Sequence, residues 1–218
     1  GLNELMASAQ PGSGEQLSFA RAFVNAAANS PSPVHHTQLK SMLDGAVEGL
    51  KIDTDLRWLI AGCLAQVNLL SESEINEELE RDNTADGHRS ATFALAARPD
   101  ANSKRAVWDR IISGTEANHT NDTLIAGFRR PSQRDLLSPY VDEYFAIIEE
   151  IWGRLTYEIS STIVNLTFPI YETTAATLTK CEKWLSDHPD AAPGLRRFVA
   201  ENRDALSRAL IAQKCDAS

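Results

Sequence analysis

Apolar residues recur every three or four positions along almost the whole chain, which is the spacing of one face of an α-helix. The pattern is clear between residues 17 and 27 and again after residue 138, and long runs of alternating Val, Ile and Thr are missing. Typical soluble domains are about one-third helix. The spacing therefore predicts an all-α fold with about three-quarters helix, in roughly ten to twelve helices joined by short loops.

Short loops between helices favour antiparallel neighbours that pair in sequence order. Two arrangements satisfy this preference, a globular bundle and a stack of helical hairpins, which is an α-solenoid. No long linker or shift in composition divides the 218 residues, and this length is enough for one sizeable core. We therefore expect a single helical domain over residues 1–218.

Several helix starts are marked by side chains that satisfy free backbone N–H groups. Asp53 or Thr54 is expected to cap a strongly apolar helix. Ser71 and Glu74 match the Ser-x-x-Glu capping box, which predicts a helix start at that point. A further helix over 85–97 is expected to end at an Arg-Pro pair, because the residue before a proline disfavours the helical conformation.

Prolines and polar runs mark other boundaries. Pro31 and Pro33 are expected to break the helical pattern that begins near residue 17. The polar run over 113–122 predicts a loop. Ser138 and Pro139 are interpreted as the N-cap and first residue of the clearest amphipathic helix in the chain.

The chain carries 30 acidic and 21 basic side chains, a formal net charge of −9. Nucleic acids and anionic membranes bind cationic surfaces, so this balance argues against both as partners. No apolar run approaches the ~18–20 residues of a membrane span, and the first ten residues lack a signal-peptide pattern. We expect a cytoplasmic protein whose Cys63, Cys181 and Cys215 are buried, reduced thiols.

The residues show no pattern for a catalytic or metal-binding site. The histidines include one close pair, His35 and His36, and adjacent residues point in different directions on a helix. The sequence contains no His-Glu-x-x-His zinc motif, Gly-x-Ser-x-Gly turn or phosphate-binding glycine loop. Glu77, Glu78 and Glu80 are interpreted as a solvated helix face. We therefore predict neither catalytic residues nor metal ligands in this chain.

One polar grouping has binding potential. Arg129, Arg130 and Arg134 lie at a predicted helix junction that is followed by Tyr140 and Tyr144. A guanidinium group offers a fork of donors that matches a carboxylate, so the cluster is a candidate site for one. The alternative is that these arginines cap helix C-termini and pair with the excess acidic side chains.

Five blocks of sequence together resemble the C-terminal helical domain of zinc aminopeptidases of the aminopeptidase N type. The actinobacterial form is the most similar, and the domain is related to that of the endoplasmic-reticulum aminopeptidases. The resemblance covers essentially the whole chain, with the blocks in the expected order. The blocks are LDGAVEGLKIDTDLRWLIAGCLA (43–65), INEELERDNTADG (75–87), ALAARPDANSKRAVWDRI (94–111), AGFRRPSQRDLLSPYVDEYFAIIEEIW (126–152) and LRRFVAENRDALSRALIAQKCD (195–216).

The resemblance implies a right-handed superhelix of HEAT-like antiparallel helix pairs, an α-solenoid that encloses an active-site cavity and controls peptide access. It also implies that the zinc and its ligands belong to a catalytic domain that precedes residue 1, so this chain holds no cofactor of its own. The expected partners are the catalytic and linking domains of the same polypeptide and peptide substrates, with the protein monomeric. Arg129, Arg130, Arg134 and Tyr157 are the candidate peptide-facing residues.

An alternative from another functional class is a stand-alone helical-repeat adaptor that binds another protein. The two hypotheses differ in what surrounds the chain, because the aminopeptidase hypothesis requires several hundred preceding residues that contain the zinc motif. A helical transcription regulator would require a basic helix-turn-helix near one end, and the first eighteen or so residues contain no basic cluster.

Overall fold

The computed structural model describes residues 1–30 and 32–216. About 75% of the chain is helical, and the described residues contain no strand, which confirms the all-α prediction. The α-helices are α1 (Leu2–Ser8), α2 (Gly14–Ala27), α3 (Pro33–Leu43), α4 (Thr54–Gln66), α5 (Glu72–Arg81), α6 (Ala85–Ala97), α7 (Ala101–Ser113), α8 (Asn118–Phe128), α9 (Arg134–Leu137), α10 (Tyr140–Arg154), α11 (Tyr157–Leu166), α12 (Ala175–Asp187) and α13 (Pro193–Asp216).

The predicted caps are present. The Asp53 carboxylate accepts a hydrogen bond from the Leu56 N–H at 2.8 Å, so Asp53 is the N-cap of α4. Ser71 and Glu74 form the reciprocal bonds of a capping box at the start of α5. These boundaries are decided by contacts within one turn of the chain, which is why the sequence predicts them.

Other boundaries differ from the prediction. α8 begins at Asn118, so the second half of the polar run over 113–122 is helical and not a loop. α10 begins at Tyr140, with Pro139 as its N-cap, one residue later than expected. The break expected at Pro31 lies outside the described residues, and Pro33 is the first residue of α3.

The helices form two compact units. The first contains Gly1–Lys104 and Ala126–Ser132, and the second contains Arg105–Ile125 and the chain from Gln133 onward. In the first unit α4 contacts α2, α3 and α6. These contacts explain why apolar residues occupy much of the α4 circumference: the helix is enclosed by its neighbours.

In the second unit α10 contacts α11 and α12, and α13 contacts α11 and α12. Tyr144 of α10 is buried, its hydroxyl donates to the Val164 carbonyl at 2.9 Å, and its ring meets Phe168 edge-on. Tyr144 is thus engaged within the second unit by Val164 and Phe168. Its phenol is a buried hydrogen-bond donor within the core.

Two of the three cysteines are buried, whereas the sequence predicts burial of all three. Cys63 and Cys181 are buried free thiols, as expected, and burial raises the pKa of Cys63 to about 12 and that of Cys181 to about 11. Cys215 is exposed near the end of α13, so the expectation that all three are buried is wrong for this residue. Leu206 is the last buried residue of α13, and residues 211–216 at its end are exposed.

Candidate functional site at the arginine segment

The strongest candidate site is the arginine segment, which we define as residues 126–132. It contains the last turn of α8 and the residues that follow, including Arg129 and Arg130. A Cβ atom on Gly127 would lie 2.6 Å from the Ala96 Cβ and 2.7 Å from the Phe93 carbonyl oxygen. Only glycine permits this close approach, so the segment is pressed against the last turns of α6.

A buried lysine joins the segment to α6. Lys104, in the first turn of α7, has an exposed fraction of 0%. Its Nζ donates to the carbonyl oxygens of Ala96, Phe128 and Gly127 at 2.8, 3.1 and 3.4 Å. The last carbonyls of a helix have no partner within that helix. One lysine thus caps the C-terminal ends of both α6 and α8, an arrangement that we call the lysine tie.

Arg130 is held by side chains of α4 and α6. Its Nε donates to Oε1 of Gln66 at 2.9 Å, and its guanidinium lies 5.4 Å from the centre of the Phe93 ring. Gln66 is 3% exposed, and its Nε2 also donates to the Ala28 carbonyl at 2.7 Å and to the Ser132 hydroxyl at 3.0 Å. Gln66 therefore connects α2, α4 and the arginine segment through one amide group.

The four predicted peptide-facing residues are divided between the two units. Arg129 and Arg130 are half-buried in the first unit. In the second unit Arg134 is exposed and pairs with Glu172 at 3.3 Å. Tyr157, also in the second unit, is 63% exposed and meets the Trp152 ring edge-on at 5.6 Å.

The alternative interpretation of these arginines, that they cap helix C-termini and pair with acidic side chains, agrees in part with their contacts. Arg130 donates to the Ala126 carbonyl at 3.4 Å, close to the end of α8, and Arg134 pairs with a carboxylate. Tyr140, named with them from the sequence, lies under a different guanidinium, that of Arg105, at 5.1 Å from its ring centre. In the arginine segment, Arg130 is thus held by the Gln66 amide, the Ala126 carbonyl and the Phe93 ring.

The glutamates of α5 do not form one solvated face. Glu77 and Glu80 are exposed as predicted, but the Glu78 side chain is only 13% exposed and accepts two bonds from Arg57, at 2.5 and 2.6 Å. This bidentate contact holds the pKa of Glu78 below its usual range. Glu78 therefore links α5 to α4, which is a structural task and not acid–base chemistry.

The described part of the chain contains neither a cluster of metal-ligating side chains nor a membrane-spanning helix. No cluster of three or more His, Cys, Asp or Glu side chains within residues 1–30 and 32–216 is arranged to hold a metal ion. Over the same residues, no helix has the length and apolar content required to cross a bilayer.

Comparison with known proteins identifies the family. The sequence model of one protein family, the ERAP1-like C-terminal domain, matches residues 2–208, which include most of both compact units. The chain belongs to the ERAP1-like C-terminal domain family. This match, together with the relative described next, confirms the predicted resemblance to the C-terminal domain of an aminopeptidase N.

An Aminopeptidase N from Streptomyces lividans is 39% identical to this ERAP1-like C-terminal domain over 214 residues. The match covers 96% of the chain but 24% of the relative, so the chain spans about a quarter of the length of that enzyme. The domain therefore corresponds to one part of a larger polypeptide in its relative.

Three residues that support the site were missed from the sequence: Lys104, Gln66 and Gly127. The spacing of apolar residues in the sequence indicates burial for Lys104 and Gln66. Lys104 precedes Val107, Trp108 and Ile111 by three, four and seven positions, so it lies on their apolar stripe. Gln66 follows Cys63 by three positions on the enclosed helix α4. A polar residue on a buried stripe requires partners inside the protein.

Proposed function

We propose that this chain is the non-catalytic C-terminal domain of a zinc-dependent aminopeptidase that removes N-terminal residues from peptides. The family match over residues 2–208, together with the 39% identity to an Aminopeptidase N, is the observation that carries this proposal. Because one family model covers residues of both compact units, we also propose that they act together as a single domain.

The zinc of such an enzyme does not fit the residues described here. The sequence has no His-Glu-x-x-His motif, and no suitable ligand cluster occurs in the described residues. We therefore assign the metal and the catalytic groups to a different part of the polypeptide and derive no reaction step from this chain.

The role that we assign to the domain is to enclose the active-site cavity and control which peptides reach it. Helix pairs stacked into a right-handed superhelix of HEAT-like repeats would offer a concave surface for this purpose. Enclosure accelerates a reaction by positioning substrate and excluding water, without supplying a reactive group. The net charge of −9 favours the approach of a cationic peptide amino terminus.

The proposed peptide-facing residues are Arg129, Arg130, Arg134 and Tyr157. A guanidinium binds a carboxylate through two parallel hydrogen bonds, so the arginines suit an acidic side chain or a free carboxyl end of a peptide. Tyr157 is the most accessible of the four, since 63% of its surface meets solvent. The proposed setting is a cytoplasmic monomer whose partners are the catalytic and linking domains of the same polypeptide.

The first test is an activity assay on the isolated chain with added Zn²⁺, using aminoacyl-p-nitroanilide substrates and metal analysis of the purified protein. We expect no turnover above that of Zn²⁺ in buffer, because the catalytic groups lie elsewhere. Zinc-dependent hydrolysis that co-purifies with stoichiometric metal would contradict the proposal. Inactivity combined with a gene that encodes no zinc motif before residue 1 would support the adaptor alternative instead.

A further inference from the structure

A cavity of about 270 Å³ opens to solvent between the end of α3 and helices α4 and α5 in the first unit. Part of its wall is apolar and buried, since Ala61 is 1% exposed and Leu70 is 8% exposed. Pockets for drug-sized ligands measure about 300–1,000 Å³, so this volume suits a smaller molecule. The charged residues that line the cavity carry both signs: Asp44, Arg57, Glu74, Glu77, Glu78 and Arg81.

Three of these charged side chains bind one another. Arg57 donates from Nε and Nη2 to the two carboxylate oxygens of Glu78, at 2.5 and 2.6 Å. Arg81 donates from Nη1 to the same carboxylate at 3.2 Å. The Glu78 side chain is only 13% exposed, so these bonds fix part of the lining without any ligand. A lining that is already fixed lowers the entropy cost of binding.

The Glu74 carboxylate also has partners. Its Oε2 accepts hydrogen bonds from the backbone N–H and the hydroxyl of Ser71 in the capping box, both at 2.7 Å. These bonds, together with the charge of Lys40 on α3, hold the pKa of Glu74 below its usual range. Glu74 therefore acts as a helix cap, and its negative charge is compensated in part by Lys40.

Three charged groups of the lining retain unused binding capacity. Within residues 1–30 and 32–216, the Asp44 carboxylate has no hydrogen bond or ion pair, and Glu77 accepts one long bond, from the Ser73 hydroxyl at 3.5 Å. Over the same residues, Nε and Nη2 of Arg81 make no hydrogen bond. A guanidinium edge binds a carboxylate, and a carboxylate binds an ammonium or a guanidinium. The cavity thus offers one position for an anionic group and two for cationic groups.

We propose that this cavity binds a free basic α-amino acid, arginine or lysine. The α-carboxylate pairs with Arg81, and the α-ammonium and the side-chain cation pair with Asp44 and Glu77. An amino acid with a neutral side chain leaves one of these carboxylates without a partner, and a residue inside a peptide lacks both end charges. The site uses none of the four proposed peptide-facing residues, so the inference holds whether or not the proposed function is correct.

The expected affinity is low, because Asp44, Glu77 and Arg81 are exposed. Ion pairs between exposed groups are weak, so we expect a Kd of about 1–10 mM for L-arginine at low ionic strength. Salt shortens the range of these attractions, from about 30 Å at 0.01 M to about 8 Å at 0.15 M ionic strength. The affinity should therefore fall as salt is added.

Titration of the ¹⁵N-labelled 218-residue chain with L-arginine, followed by backbone amide chemical shifts, tests the site. Three analogues each lack one charge: agmatine the carboxylate, Nα-acetyl-L-arginine the α-ammonium, and L-leucine the side-chain cation. We expect saturable shifts at residues 44, 77 and 81 with L-arginine, and binding weaker by about threefold or more for each analogue. Shifts that do not saturate, or agmatine that binds as tightly as L-arginine, would overturn the inference.

Variants of exposed residues separate the cavity from general surface charge. Glu77→Gln should weaken L-arginine binding by about threefold or more. Glu80→Gln, at an exposed glutamate of the same helix that does not line the cavity, should leave it unchanged. Arg81→Gln should weaken L-arginine but not agmatine, which removes the difference between them. Equal losses from Glu77→Gln and Glu80→Gln, or a preserved difference in Arg81→Gln, would show that these side chains do not form the site.

Discussion

Replacement of Gly127 by alanine should lower the free energy of unfolding by about 2–4 kcal/mol. The added methyl group would lie 2.6 Å from the Ala96 Cβ and 2.7 Å from the Phe93 carbonyl oxygen, so α6 and the arginine segment must separate. The Ala96 Cβ has no side-chain torsion and the Phe93 carbonyl belongs to the backbone, so neither group can rotate out of the way. Chemical denaturation monitored by tryptophan fluorescence and circular dichroism measures the loss.

Gly153→Ala is the matched control. Gly127 and Gly153 are each the penultimate residue of their helix, α8 and α10 respectively. A Cβ on Gly153 would have no heavy atom within 4 Å apart from its chain neighbours and the backbone of its own helix. Removing the conformational freedom of this glycine should stabilise the chain by about 0.5 kcal/mol. Equal effects of the two substitutions would show that the close contact at Gly127 is absent in solution.

Gln66→Leu should lower the free energy of unfolding by about 2–4 kcal/mol, although it replaces a polar residue by an apolar one of similar size. The substitution removes the amide that contacts the Ala28 carbonyl, the Ser132 hydroxyl and the Arg130 guanidinium. Each of these groups then loses a hydrogen bond that leucine cannot replace. Urea denaturation at constant pH measures the change.

A double-mutant cycle with Arg130→Met separates this network from ordinary packing. If Gln66 and Arg130 interact as the structure shows, the two effects should be less than additive by about 1 kcal/mol or more. Gln66→Leu combined with Arg81→Met, an exposed arginine on α5, serves as the control and should be additive. Additivity in both cycles would contradict the assigned role of Gln66.

Much of the fold is predictable because its determinants are local. The caps at Asp53 and Ser71 depend on contacts within one turn, and the apolar period of α10 is independent of its neighbours. The start of α8 was missed because its first turns are polar and carry few periodic apolar residues. The prediction of a solvated face is wrong for Glu78 because the sequence does not show that Arg57 of α4 reaches it.

The candidate site was predictable only in part. The Arg129–Arg130 pair is visible in the sequence as a cationic cluster, and Tyr157 is 63% exposed, but its peptide-facing role stays a prediction. The groups that brace the segment are not visible in this way. Lys104 and Gln66 are residue types that usually lie on surfaces. The partners of Lys104 are backbone carbonyls at the ends of two helices, and those of Gln66 are the Ala28 carbonyl, the Ser132 hydroxyl and the Arg130 guanidinium, all distant in sequence.

The central proposal is that this domain controls peptide access to an active site formed elsewhere. A chimera tests it most directly: the matching quarter of the Streptomyces lividans Aminopeptidase N is replaced by this chain, with and without Arg134→Ala and Tyr157→Ala. These two residues are exposed, so their substitution should preserve the fold. The matched control is Arg110→Ala, an arginine of the same unit that pairs with Glu116 at 2.7 Å.

The measured quantity is kcat/KM for an aminoacyl-p-nitroanilide and for a series of peptides of increasing length. We expect the double variant to change kcat/KM by about fivefold or more for the longer peptides and by less than about twofold for the nitroanilide, with Arg110→Ala neutral for both. Equal effects on short and long substrates, or no effect on either, would contradict the proposed control of access.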